Sequence, residues 1–87
     1  MVVKAEDGSM YPFIREKLLM SISKSLGHRT NHVNEAVALT NTILSKLQTT
    51  YKTPLLTRNN IILTSEEVLK NFDNAALIHY SAYHKIS

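Results

Sequence analysis

Apolar residues recur along this chain at two different spacings, and the change between them sets out its elements. Val2 and Val3, then Met10, Tyr11 and Phe13, lie on either side of the polar stretch Glu6-Asp7-Gly8-Ser9. Asp-Gly is a favoured central pair for a two-residue hairpin because both positions tolerate positive φ. The pattern predicts a two-stranded ribbon running from Val2 to Ala5 and from Ser9 to Phe13. From Ile14 the period lengthens: Ile14, Leu18, Ile22 and Leu26 fall at steps of four, Leu19 widens the stripe, and Gly27 supplies a stop. A second stripe uses Val33, Ala36, Val37, Thr40, Ile43, Leu44 and Leu47, with Thr30 or Asn31 as N-cap and an end near Thr49.

Pro54 breaks the second stripe, and Leu55 and Leu56 lead to Thr57, whose hydroxyl can cap a third helix carrying Ile61, Ile62, Val68, Leu69 and Phe72. Asp73 and Asn74 punctuate before a last helix built on Ala76, Leu77 and Tyr80, extending to Tyr83. A lone hairpin is marginal in water, so its inner face must rest on the helices. The expected fold class is therefore α+β, mostly α: an N-terminal β-hairpin packed on a four-helix bundle, one domain over residues 1–87.

Composition narrows the chemistry. A chain of 87 residues, 44% hydrophobic and 20% charged, suits one globular domain that buries roughly 60–65% of its unfolded surface. It has no cysteine, hence no disulfide, thiolate metal site or thiol nucleophile. No apolar stretch approaches the roughly 20 residues that span a bilayer, and the N-terminus lacks a signal-peptide layout, so a cytoplasmic location is expected. The net charge of +3 permits contact with DNA without implying it.

The four histidines do not make a metal site by spacing: His28 and His32 straddle a loop, and His79 and His84 diverge on a helix. No carboxylate pair, Gly-x-Ser-x-Gly elbow or glycine-rich loop is present, so no catalytic residue and no enzymatic activity are expected. The corner between ribbon and first helix is different. A helix N-terminus exposes unpaired N–H groups and partial positive charge, which suit a phosphate. Ile14 caps poorly, and Lys4 and Lys17 can close on the same point; alternatively both lysines are solvated and Ile14 is an apolar staple.

The segments "VVKAEDG", "PFIREKLL" and "FDNAALIHYSAYHK" resemble the ATP-cone, a nucleotide-sensing domain found in many ribonucleotide reductases and in the zinc-ribbon repressor of their genes. The resemblance covers essentially the whole chain, and its closest motifs are of the repressor type. It implies a regulatory domain that binds ATP or dATP as a signal, with no cofactor and no reaction. Carried over by position, it assigns nucleotide binding to Val3, Lys4, Phe13, Lys17, Leu18, Thr57 and Ile61. Lys4 and Lys17 would face the phosphates, Val3, Phe13, Leu18 and Ile61 would surround base and sugar, and Thr57 with Ile61 would form the far wall. Partners implied are an adenine nucleotide, further copies of the chain, or the remainder of a reductase or repressor, with DNA contacted only indirectly and no membrane.

The chain departs from the family pattern at four places. Ala5 and Glu6 replace the arginine that follows the strand lysine and add one residue, which calls for a bulge near Ala5 or Glu6 to keep Lys4 and Phe13 on their faces. Tyr11 and Ile14 stand where polar residues are usual. These departures support a different class of function, a cone that serves as a protein-interaction module without nucleotide. The aromatic C-terminal stretch "HYSAYHKIS" adds the expectation of a monomer or weak dimer whose association responds differently to ATP and dATP.

Overall fold

The computed structural model describes residues 1–5 and 7–84. The bulge expected at Glu6, as distinct from Ala5, and the last part of the C-terminal stretch, residues 85–87, lie outside the described residues. The elements run β1 (Val2–Lys4), β2 (Met10–Pro12), α1 (Arg15–Ser25), α2 (His32–Thr50), β3 (Leu55–Thr57), α3 (Arg58–Phe72) and α4 (Asn74–Tyr83). The fold is mostly α with a small N-terminal sheet, the class that the hydrophobic pattern predicts.

The sheet has three strands where the sequence pattern predicts two, in the order β2-β1-β3. β1 pairs antiparallel with β2, placing Val3 opposite Tyr11, and parallel with β3, placing Val3 beside Leu56 and Lys4 beside Thr57. Both ladders gain a further bond at their ends: Val2 N–H donates to the Pro54 carbonyl (2.8 Å) and Phe13 N–H to that of Met1 (3.0 Å). The segment Leu55–Thr57 is too short to display a period of its own and doubles as the approach to a helix cap, which is why it reads as a lead-in and not as a strand.

The hairpin turn also differs from the two-residue form. Ala5 N–H donates to the Ser9 carbonyl and Gly8 N–H to that of Ala5, so three positions separate the paired ends. Gly8 has φ of 89°, the left-handed conformation that closes a three-residue loop and that glycine adopts without steric cost. Asp7 holds the turn by accepting from both the backbone N–H and the hydroxyl of Ser9, at 2.9 and 2.6 Å, and these bonds draw its carboxyl below the usual range.

The core lies where the inner face of the sheet meets the helices. Leu56 descends from β3 into a cluster with Leu18 and Ile22 of α1, Leu26 at its C-cap, Ile43 and Leu47 of α2, Ile62 and Leu69 of α3, and Tyr80 of α4, and Val3 of β1 is buried as well. Burying side chains of this size stabilises by about 1.5–3 kcal/mol each before the cost in conformational entropy. The buried stripe of α2 runs through Ala36, Leu39, Thr40, Ile43 and Leu47. It is rotated from the predicted face: Leu39 is inside, while Val33 (60% exposed) and Val37 stand at its solvent edge. Phe72 and Tyr83 are likewise outside and carry cations, with the Arg29 guanidinium 4.7 Å from the ring centre of Phe72 and Lys24 Nζ 4.4 Å from that of Tyr83.

Helix ends follow the capping residues. Thr57 caps α3 through a reciprocal pair, its hydroxyl accepting from Asn60 N–H (3.1 Å) and its own N–H donating to Asn60 Oδ1 (2.9 Å). Asp73 caps α4 with Oδ1, which accepts from the N–H of Ala75 and Ala76. Its Oδ2 accepts from Arg29 (2.8 Å) and meets His28 Nε2 (2.9 Å), while Arg29 also grips Glu35 in bidentate fashion. The α1–α2 connection is thereby tied to the α3–α4 corner. His28 and Arg29 together hold the Asp73 carboxyl well below the usual carboxylate range, and Arg29 lowers that of Glu35.

Candidate functional site

A cavity of about 200 Å³ opens between the inner face of the sheet, the start of α1, the start of α3 and the end of α4. Strand alternation aims Val3 and Tyr11 at it, since the two are register partners on one face of the sheet. Pro12, Phe13 and Ile14 form the turn from β2 into α1. Ile14, Lys17, Leu18 and Ser21 then follow at steps that place them on one face of the helix. Arg58, Ile61 and Ile62 come from the first turns of α3, and Tyr80 and His84 from successive turns at the end of α4.

Of the residues assigned from sequence, Val3, Phe13, Lys17, Leu18 and Ile61 meet in this cavity, and Lys4 and Thr57 do not line it. The sheet register gives the reason. Val3 is 3% exposed and faces inward, so its neighbour Lys4 faces outward, as does Thr57 beside it. Thr57 is also committed to the cap of α3.

Arg58, Ser21 and His84 are lining residues that the sequence reading does not assign to the site, and Tyr80, read from sequence as part of the last helix's apolar stripe, lines it as well. Ser21 was legible as the next turn after Lys17 and Leu18, and Tyr80 with His84 as an i, i+4 pair. Nothing in the local pattern marks Arg58, whose place follows from β3 delivering α3 to the cavity.

The floor is apolar, and among the described residues the charged ones that line it are the cations Lys17 and Arg58. Ile14, in extended conformation at φ −114° and ψ 109°, offers α1 no side-chain cap. Lys17 N–H donates to the Ile14 carbonyl at 3.2 Å, and the amides of Arg15 and Glu16 before it have no intrahelical acceptor. Tyr80 is buried, which pushes its phenol up, and its ring stacks on that of His84 with centres 4.1 Å apart and planes 17° from parallel. The arrangement suits a ligand with a flat apolar part and an anionic part. At about 200 Å³ the enclosed space is smaller than the roughly 300–1,000 Å³ of typical small-molecule sites, so the anionic part of a nucleotide would lie outside it.

Elsewhere, His28 and His79 meet edge to face at 5.2 Å. Among the described residues no group of three or more His, Cys, Asp or Glu is placed to hold a metal ion, and no helix is long and apolar enough to cross a membrane. No protein-family model matches the chain, and no curated protein matches it.

Proposed function

We propose that this chain is an ATP-cone-like sensor that binds ATP or dATP at the cavity between sheet and helices and reads it as a signal without consuming it. The observation that carries this reading is the joining, in one cavity, of an apolar floor, the cations Lys17 and Arg58, and a helix N-terminus left uncapped by its own side chain. The base would rest among Val3, Phe13, Leu18 and Ile61. The phosphates would lie at the mouth, against Lys17 and the first amides of α1. The sequence resemblance connects the signal to ribonucleotide reductase activity or to transcription of its genes, transmitted through a change in how copies of the chain, or the remainder of a longer protein, associate. A cytoplasmic location belongs to the same reading.

Isothermal titration of the 87-residue chain with ATP, dATP and dGTP tests the proposal. Saturable heat with the adenine nucleotides is expected. No heat with any of the three at millimolar concentration overturns it. The second reading, an interaction module without nucleotide, draws on the outward position of Lys4 and the engagement of Thr57 in its cap. It predicts that Lys17→Ala changes no ligand-dependent property.

A further inference from the structure

We infer that Ser21 reads the base at this site, selecting a purine that carries an amino group at position 6, adenine, over one that carries a carbonyl there, such as guanine or hypoxanthine. The inference rests on the adenine-nucleotide reading of the cavity and adds to it the residue and the atom that set the choice of base.

Along α1 the cavity is lined in turn by Lys17, Leu18 and Ser21, with Ile14 at the N-cap. The phosphates belong at the end of the helix that holds Lys17 and the first amides. Ser21 lies one turn further on, about 6 Å along the axis from Lys17 at 1.5 Å per residue. There the buried Leu18 and the partly buried Phe13 and Ile61 supply apolar surface for a ring, and Ser21 is the polar group on the same face of the helix.

What Ser21 offers a ligand is decided by a bond it already makes. Its Oγ lies 3.0 Å from the carbonyl oxygen of Lys17. A carbonyl oxygen only accepts, so the single hydroxyl hydrogen points back along the helix, and Oγ has only lone pairs left to offer. Toward a ligand Ser21 is therefore an acceptor. The 6-amino group of adenine donates to such an oxygen, whereas a 6-carbonyl is a second acceptor and meets it with no hydrogen between them. A 6-oxo purine gains the contact only if the hydroxyl turns away from Lys17 and gives up its present bond. The selectivity expected is the worth of one neutral hydrogen bond, roughly three- to tenfold in affinity.

The cations at the cavity would impose the opposite order. Lys17 and Arg58 carry donors and no acceptor, so either of them at position 6 would favour the carbonyl. The phenols of Tyr11 and Tyr80 and the ring of His84 belong to types that both donate and accept, and a substitution at Ser21 leaves their contribution in place. The sign of the preference thus identifies the group that reads the base.

Isothermal titration of the full chain with ATP and with ITP, which differ at position 6 and in the proton on the adjacent ring nitrogen, measures the choice. The wild type should bind ATP roughly three- to tenfold more tightly than ITP. Ser21→Ala removes the acceptor and should bring the two affinities within about twofold of each other, chiefly by weakening ATP. Alanine is the better helix former, so the turn of α1 is kept.

A wild-type ratio of affinities in Ser21→Ala overturns this inference and leaves the nucleotide reading standing. So does equal affinity for ATP and ITP in the wild type, or a wild-type preference for ITP, which would place a donor at position 6. These two wild-type results decide against the inference even where the variant fails to fold. Absence of heat with either nucleotide at millimolar concentration overturns both readings.

Discussion

Leu55 and Leu56 are adjacent, chemically identical, and expected to differ sharply when truncated. Leu56 is 1% exposed and faces the core from β3, whereas Leu55 is 39% exposed on the outer face of the sheet. Leu56→Ala removes three carbons from a filled interior, a transfer loss of about 2.4 kcal/mol at ~0.8 kcal/mol per carbon. The void left between sheet and helices adds to this, and measured Leu→Ala costs in cores run from about 2 to 5 kcal/mol. For a domain of this size, with total stability on the order of 4–13 kcal/mol, that is a large share. A loss of about 3 kcal/mol lowers the melting temperature by roughly 12–24 °C. Leu55→Ala should cost under about 1 kcal/mol. Urea denaturation monitored by circular dichroism measures both. Equal losses, or a greater loss for Leu55, would mean that β3 lies one residue out of the register described and that its inner face is not the one carrying Leu56.

Three further outcomes are expected. Lys17→Ala should weaken ATP binding by roughly one to two orders of magnitude, the size of a lost charge-assisted hydrogen bond, and Lys4→Ala should change it less than about twofold; the reverse order in a titration would show that the nucleotide lies on the outer face of the sheet. Asp73 has a folded-state carboxyl below its ordinary 3.8, owing to His28 and Arg29, so its contribution is full above that value and is lost as pH falls through the lowered one. Melting temperatures measured from pH 6 down to pH 2 should accordingly fall more steeply for wild type than for Asp73→Asn, and parallel curves would remove Asp73 from the acid response. Gly8→Ala should destabilise by about 1–2 kcal/mol through its positive φ alone, because no atom lies within 4 Å of the added carbon, and an unchanged melting temperature would refute that backbone account.

The helices were largely legible because apolar positions recur at helical spacing along each of them, and because Thr57 and Asp73 announce the starts of α3 and α4 through their own side-chain oxygens. The errors arose where a pattern is too short or too uniform to carry direction. α2 offers apolar residues at both 36–37 and 39, so periodicity alone could not choose between faces, and packing against α1 and α3 selected Leu39 over Val37. At the cavity, five of the seven residues assigned from sequence come together, and the two that do not, Lys4 and Thr57, are neighbours across a ladder between strands far apart in sequence. Their outward direction depends on the pairing of β1 with β3, a non-local fact. Arg58 escaped notice for the same reason.

The position of β1 in the middle of the sheet has a consequence for how the chain comes together in time. Val3 meets Tyr11 eight positions away but Leu56 fifty-three positions away. By loop-closure entropy the second pairing costs about 1.7 kcal/mol more than the first. It cannot begin until both α1 and α2 have been made. At translation rates of roughly 5–20 residues per second, β3 follows β2 out of the ribosome by about 2–9 s. During that interval the hairpin exists with one flank of its inner strand unpaired and Val3 uncovered, a state in which another nascent chain offers the same hydrogen bonds that β3 will later supply. Crowded synthesis on polysomes is thus the circumstance in which this domain is most exposed to mispairing, and a chaperone that shields the first thirteen residues would act on the step that the architecture leaves open longest.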